Sequence, residues 1–311
     1  MKNLIITNGN TSIQAQAITE ELYQRYINYL DASPKTVATY TRALRQFISY
    51  LATQGISQPA REDIIAYREE LKADHKPSTV QSYIVAVRLF FQWTEQEGLY
   101  PNVAEHIKGA KIQKGHKKDY LNASQIKDIL ASIDKDTAQG RRDFAIFALT
   151  VSCGLRTIEV SRANIEDLRT LGNDTVLFLQ GKGRQEKADF VRIPPAIEKI
   201  VRASLADRQN KDGSQPLFIS LSNNSKGQRM TTRSISGSIK KAMQQAGYDS
   251  DKLTAHSLRH SAVTLALLNG QPLEEVQAFA RHSNINTTMI YSHAIDLANN
   301  SCSNTVADAI I

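Results

Sequence analysis

Residues 33–55, "SPKTVATYTRALRQFISYLATQG", read as one helix with both ends marked. Ser33 stands where an N-cap hydroxyl accepts from the free N–H groups of the first turn. Pro34 follows at the first helical position, where its missing N–H costs nothing and its fixed φ suits the helix. Val37, Tyr40, Leu44, Phe47 and Leu51 recur at three- and four-residue steps, so one face is apolar, and Gly55 supplies the stop. Residues 78–98, "STVQSYIVAVRLFFQWTEQEG", repeat the design, with a Ser78-to-Gln81 capping box and Gly98 as terminator. Helices over 16–30 and 61–74 complete a four-helix unit, so the first third of the chain is expected to be helical throughout.

Past residue 120 the pattern becomes mixed. A capping signal from Asn122 to Gln125 in "LNASQIKDIL" opens a second domain. Helices are predicted over 123–133, 138–152, 157–163, 195–208, 231–246, 257–268 and 272–281. Among them "DTVLFLQ" and "KADFVRI" read as strands on either side of "GKGRQE", a glycine-containing hairpin. The expected fold class is therefore mainly α, with a small β-sheet or hairpin in the second domain. The expected division is a flexible N-terminus over 1–15, a helical domain over 16–105, a basic linker over 106–119, a second domain over 120–295 and a tail over 296–311. Within the tail, "NTVADAII" is apolar enough to form a short helix seeking a groove.

A chain of 311 residues has material for about two domains, each with its own core. No run of about 18 uncharged apolar residues occurs, and "MKNLIITNGNTS" lacks a signal-peptide core, so no membrane span is expected and the chain is read as cytoplasmic. Cys153 and Cys302 are the only cysteines, too few for a disulfide framework and without zinc-ligand spacing.

Charge points to a polyanion. The net charge of +7 is unevenly spread: residues 1–105 carry ten Lys and Arg against eleven Asp and Glu, whereas residues 106–118 carry five lysines and no acid. Those five, Lys108, Lys111, Lys114, Lys117 and Lys118, lie in "HIKGAKIQKGHKKDY", which has the glycines and the missing periodicity of a linker. Acids are also absent from Ser33 to Ala60 and from His75 to Thr94, stretches that hold Lys35, Arg42, Arg45, Lys76 and Arg88. These cations are read as phosphate contacts on duplex DNA; as ordinary solvated helix surfaces they would have no such role.

Four stretches of the second domain concentrate polar chemistry. "CGLRTIEVSR" sets Glu159 three residues after Arg156, close enough to orient its guanidinium. "QGKGRQEK" puts Lys182 at a hairpin tip, where a flexible ammonium reaches a leaving group, with Arg184 and Lys187 as weaker competitors. "AHSLRHS" holds His256, Arg259 and His260 within about a turn, and "ARHSNINTTMIYSH" holds His282 and, nine residues later, Tyr291. His256 and His260 have a zinc-helix spacing, but the glutamate of that motif is missing and Arg259 would repel a cation, so no metal is expected. Each member also has a plain reading: a surface ion pair, a hairpin lysine, a packed phenol. Together they suit attack on a phosphodiester, since two arginines bind non-bridging oxygens, histidines handle protons, a lysine protonates a departing 5′-oxygen and a phenol attacks. A phenol with a pKa near about 10 needs such help at neutral pH.

In this order, with an Arg in "GLRTIE", a Lys in a "GKG" hairpin, "HSLRH", and a His followed nine residues on by a Tyr, the chain resembles the tyrosine recombinase (phage integrase) family, most like its Xer-type and mobile-element members. The resemblance spans about 120–295, as a catalytic domain, and extends more loosely to a helical core-binding domain over 16–105. It implies that Arg156 and Arg259 bind the scissile phosphate, that His256 and His282 assist proton handling, that Lys182 is general acid and that Tyr291 forms a 3′-phosphotyrosyl bond. Glu159 would buttress Arg156, and His260 the turn around Arg259. It further implies a homotetramer on paired DNA sites, exchange through a Holliday junction, a possible accessory protein, and no cofactor or metal. The tail would dock on a neighbour through Val306, Ile310 and Ile311. An idle DNA-binding protein and a DNA-relaxing enzyme of the type IB topoisomerase kind are the competing readings. One departure stands out: the small residue usual before the second histidine is here Arg281, which either tightens DNA binding or faces solvent. The Thr- and Asn-rich approach to Tyr291 is read as a segment that moves in and out of the site.

Overall fold

The computed structural model describes residues 17–111, 119–181, 186–206, 208–298 and 302–310. The expected flexible terminus over 1–15, Lys114, Lys117, Lys118, Lys182, Arg184 and Ile311 lie outside the described residues. The chain forms two compact units, Met1–Lys114 and Gly115–Ile311.

The first unit holds helices α1 (Glu20–Tyr29), α2 (Pro34–Thr53), α3 (Arg61–Asp74) and α4 (Pro77–Gln96). The ends of α2 are those the sequence marks: Ser33 Oγ accepts from Thr36 N at 3.3 Å, and Gly55 turns the chain at φ 67°. The start of α4 departs from expectation. Pro77 takes the first helical position and Lys76 becomes the N-cap, so the Ser78 capping box does not form. The fixed φ of proline starts the helix ahead of the serine, whose carbonyl instead accepts from Ser82 Oγ at 2.9 Å. The core is a cluster of rings. Tyr26 meets Phe90 edge-on at 5.3 Å, and Phe47 touches Tyr67 and Phe91 at 5.1 and 6.0 Å between centroids.

The second unit opens with α5 (Ala123–Ser132), whose capping box is complete: Gln125 N donates to Asn122 Oδ1 and Asn122 N to Gln125 Oε1, each at 2.9 Å. The chain continues through α6 (Ala138–Ser152) and α7 (Thr157–Arg162) into three antiparallel strands in order β1 (Leu168–Leu171), β2 (Asp174–Leu179) and β3 (Asp189–Ile193). The predicted hairpin is β2–β3, in register with Phe178 opposite Phe190; β1 is an additional edge strand. Burial alternates in β3, while in β2 Val176 is buried as well as Leu177. Leu177, Leu179, Val191 and Ile193 are buried, while Phe190 is about half exposed. After α8 (Pro195–Ser204) and α9 (Thr232–Gln245) come α10 (Ala255–Leu268) and α11 (Leu273–Ala280), and then two further helices, α12 (Ile285–Ala298) and α13 (Cys302–Ile310). The core packs α5, α6, α9 and α10 against the inner face of the sheet. In this unit two predicted ends move by more than one residue, α8 stopping four before 208 and α10 beginning two before 257, and in the first unit α1 begins four residues after 16. The polar approach to Tyr291, not predicted as an element, is helix α12, packed on α10 and α11. The expected short helix of the tail is present as α13, with Val306 and Ile310 exposed.

Among the described residues no helix is long and apolar enough to cross a membrane.

Candidate active site

The site is assembled from three returns of the chain. At the first, α6 ends in a turn at Gly154, φ 56°, where an added Cβ would stand 3.0 Å from the Phe279 ring. That turn delivers Arg156 as the N-cap of α7. Glu159, buried in the first turn, accepts from Arg156 N at Oε2 and from Arg156 Nη1 at Oε1, both at 2.8 Å. The side chain of Arg156 stays one-third exposed, so it is held by Glu159 without being sealed off.

At the second return, α10 carries His256 exposed in its first turn and Arg259 buried on its inner side, at 2% exposure. Arg259 Nη1 donates to Gly154 O at 2.6 Å and Nη2 donates to Ala280 O. Helix position puts His260 next to it, stacked on Tyr120 at 5.8 Å and tilted against the Tyr291 ring at 4.7 Å. His260 therefore lies between the start of the unit and the phenol; Leu121 N, donating to Ser261 Oγ at 2.7 Å, fixes that start on α10.

The third return is the end of α11 and the whole of α12. His282 Nδ1 lies 2.9 Å from Thr288 Oγ1, and its ring stacks on that of Tyr291 at 6.2 Å. Tyr291 is 5% exposed. Arg156, Arg259, His282 and Tyr291 are thus brought together, with His256 at the rim.

Electrostatics follow from crowding cations around one carboxylate. Burial alone would raise the Glu159 carboxyl, but the Arg281 charge and the bonds from Arg156 outweigh it and hold the group below its ordinary range. Burial, then the charges of Arg156 and Arg281, push Arg259 down to about 9, which leaves it charged at neutral pH. Burial, then the charges of Arg259, Arg156 and Arg281, with His256 last, push His282 down to about 4, so its imidazole is neutral at pH 7. Burial raises the Tyr291 phenol, and the Arg259 charge opposes that rise. The set has an excess of positive charge directed at one buried phenol, an arrangement an anion completes.

Arg281, read from the sequence as tightening DNA binding or facing solvent, does not face solvent. It is 12% exposed and ion-paired to Glu159 at 3.0 Å. A faint signal existed: the position after α11 is one where helices favour glycine, and an arginine there is unusual. Thr288, fully buried beneath His282, was missed because a threonine in a polar run carries no signal of its own.

The hairpin lysines separate. Lys187 is ion-paired at 2.5 Å to Asp167, which is buried and also accepts from Asn164 N, so Lys187 anchors the hairpin base. Lys182 and Arg184 lie outside the described residues. In the first unit, Lys35, Arg42, Arg45, Lys76, Arg88, Lys108 and Lys111 are all exposed. Arg45 lies over the Tyr23 ring at 5.9 Å. Arg88 does not stand on an acid-free face: the fold brings Glu95 and Glu105 to the same cleft, about 440 Å³ in volume. Among the described residues no group of three or more His, Cys, Asp or Glu side chains could hold a metal ion.

Residues 119–297 match the family model described as the phage integrase family, and residues 21–98 match its N-terminal SAM-like domain. Tyrosine recombinase XerD of Listeria monocytogenes serotype 4b is 27% identical over 293 residues, covering 89% of this chain and 95% of its own. Tyrosine recombinase XerC of Chlamydia caviae is 27% identical over 301 residues, covering 87% and 93%. Among solved structures, a lambda integrase dimer bound to a COC′ core site superposes with TM-score 0.69 at 15% identity, covering 89% of this chain and 77% of that one. The XerH recombinase in a post-cleavage complex with palindromic difH substrate gives 0.66 at 20%, covering 85% and 78%. At those identities the structural likeness speaks for the fold.

Proposed function

The chain belongs to the phage integrase family, and on that footing we propose that it is a site-specific recombinase that cuts and rejoins duplex DNA through a covalent bond to Tyr291. The observation that carries the proposal is the convergence of Arg156, Arg259 and Tyr291 from separate segments onto one cluster in which two guanidiniums have a single buried carboxylate, Glu159, behind them. A bridging phosphate supplies the missing anion.

In the proposed reaction the Tyr291 oxygen attacks phosphorus, a P–O bond to tyrosine forms and the P–O5′ bond breaks. The phenol proton leaves through the neutral imidazole stacked on it, His282, with His256 at the rim assisting, and Lys182 protonates the departing 5′-oxygen. Arg156 and Arg259 carry the charge that builds on the non-bridging oxygens. One P–O bond replaces another, so the energy of the broken bond is kept in the phosphotyrosine, and a 5′-hydroxyl from a second duplex reverses the step. Two such rounds give a Holliday junction and its resolution. Homotetramer assembly on paired sites is part of the proposal, with α13 docking on a neighbouring copy through Val306 and Ile310, and an accessory protein as a possible switch. Withdrawal of the segment bearing Tyr291 would let assembly decide which subunits cleave; equal cleavage by isolated monomers and synapsed tetramers would remove that element.

The test starts from duplexes selected out of a randomised pool by binding to the Tyr291→Phe protein, then nicked near the bound centre so that a cleaved strand cannot be rejoined. The expected result is a covalent protein–DNA adduct with wild type and none with Tyr291→Phe, followed by recombinant product when two sites are present. Adduct and relaxation without any paired-site product would favour a relaxing enzyme. Binding with no adduct would make the protein an idle binder.

A further inference from the structure

Arg281 is held in a left-handed backbone conformation, φ 53° and ψ 47°; His106 is the only other non-glycine residue so placed among the described residues. A side chain there is strained where glycine would be free. Its Nε is also buried without a hydrogen-bond partner. Two costs at one residue call for a return, and its contacts show where to look. Nη2 donates to Glu159 Oε2 and to Gly154 O, each at 3.0 Å, and Nη1 donates to Phe279 O at 2.8 Å. Glu159 is the carboxylate that holds Arg156, and Gly154 O is the carbonyl that holds Arg259 at 2.6 Å. The backbone carbonyl of Arg281 accepts from Arg156 Nη2 at 3.2 Å, and the preceding carbonyl, Ala280 O, accepts from Arg259.

We infer that Arg281 is a positioning residue for phosphate binding: by bridging Glu159 to Gly154 it fixes Arg156 and Arg259 relative to each other, and it does not itself touch the phosphate. Both Nη groups donate to acceptors within the protein and Nε is buried, so the fork is committed inward. The inference rests on the reading of Arg156 and Arg259 as the phosphate clamp. Wild-type adduct formation tests that reading separately, and the Arg281 variants are compared only with a wild type that cleaves.

Arg281→Gly removes the side chain and the backbone strain together, so loss of activity cannot be laid to a worse backbone. On the nicked, selected duplex at saturating protein, cleavage by Arg281→Gly is expected to fall about 10- to 100-fold, the scale of a small misplacement of catalytic groups. Affinity for the intact duplex should stay within about threefold, since no phosphate contact is lost. Arg281→Lys, which can reach only one of the two acceptors, should fall between Gly and wild type. In a Glu159→Gln background, Arg281→Gly should add less than about threefold, because its route to Arg156 is already cut. Three outcomes overturn the inference: wild-type cleavage by Arg281→Gly, a loss of affinity as large as the loss of rate, or the full additional penalty in the Glu159→Gln background, which would mean that Arg281 acts on the phosphate directly.

Discussion

Among the described residues, the first unit buries a single non-aromatic polar side chain, Thr94, under a cluster of rings, whereas the second buries Arg142, Glu159, Asp167, Arg259, His260 and Thr288, among others. One unit keeps its cations outside and its apolar rings inside. The other places a guanidinium, a carboxylate and a phenol where desolvation works against each of them. Burying charge is costly unless it is paired, and here Arg156, Arg259 and Arg281 share the one carboxylate of Glu159. The difference teaches where function is housed: each unit has its own apolar core, and only the second gives up some of the stability of burial, around Tyr291.

The strongest way to break that comparison is to damage each unit at its centre. Phe47→Ala empties the ring cluster of the first unit and should cost about 3–5 kcal/mol. Trp93 is the only tryptophan and lies in that unit, so its fluorescence during denaturation reports the loss there alone. Arg259→Met, of similar volume, should cut cleavage by at least about 10²–10³-fold, the cost of a lost charge-stabilising donor. Its melting temperature should stay level or rise, because an apolar side chain carries no buried charge. A fall in stability comparable to that of Phe47→Ala would show that the second unit also depends on its site for folding.

A pH scan sharpens the contrast. His282 is pushed down to about 4 in the folded protein, against about 6.5 when unfolded. Between those values the unfolded chain takes up a proton that the folded one refuses, so the second unit should lose stability as pH falls from about 6.5 to about 4. Glu159, held below its ordinary range, acts in the same direction at the acid end. Thermal unfolding of wild type and His282→Gln checks the sign: the variant should show the flatter dependence, and equal slopes would assign the effect elsewhere.

What the sequence discloses follows the same division. In the first unit, N-cap chemistry and apolar spacing are local, and α2 could be read to the residue at its start. The members of the site could be named because each sits in a distinctive short string. Their meeting could not be derived, since Gly154, Arg259 and Ala280 are joined only by tertiary hydrogen bonds. The inward contacts of Arg281 escaped notice for that reason: Gly154 and Glu159 are about 125 residues away in sequence, and nothing local names them. The edge strand β1 is four residues long, too short for alternation to declare itself. Helix α12 opens with Ile285, Asn286, Thr287 and Thr288, residues of modest helix propensity, and owes its form to packing on α10 and α11.

The smallest effect tests local legibility itself. Ser33 and Ser78 look alike in sequence, each at the head of a long apolar-faced helix, yet only Ser33 has a hydroxyl that accepts from its helix, at a rather long 3.3 Å and in an exposed position. Ser33→Ala should therefore cost about 0.5–1 kcal/mol, toward the low end for an N-cap. Ser78 stands inside the first turn behind Pro77, where alanine is the better helix former, so Ser78→Ala should be neutral or stabilising by a few tenths, about 0.3 kcal/mol. Both changes fall in the unit that Trp93 reports, and denaturant midpoints compared at constant slope resolve them. Equal losses from the two serines would mean that the hydroxyl of Ser78 does cap in solution, that α4 starts two residues later than Pro77, and that the sequence rule outranks proline as the device that sets where this helix begins.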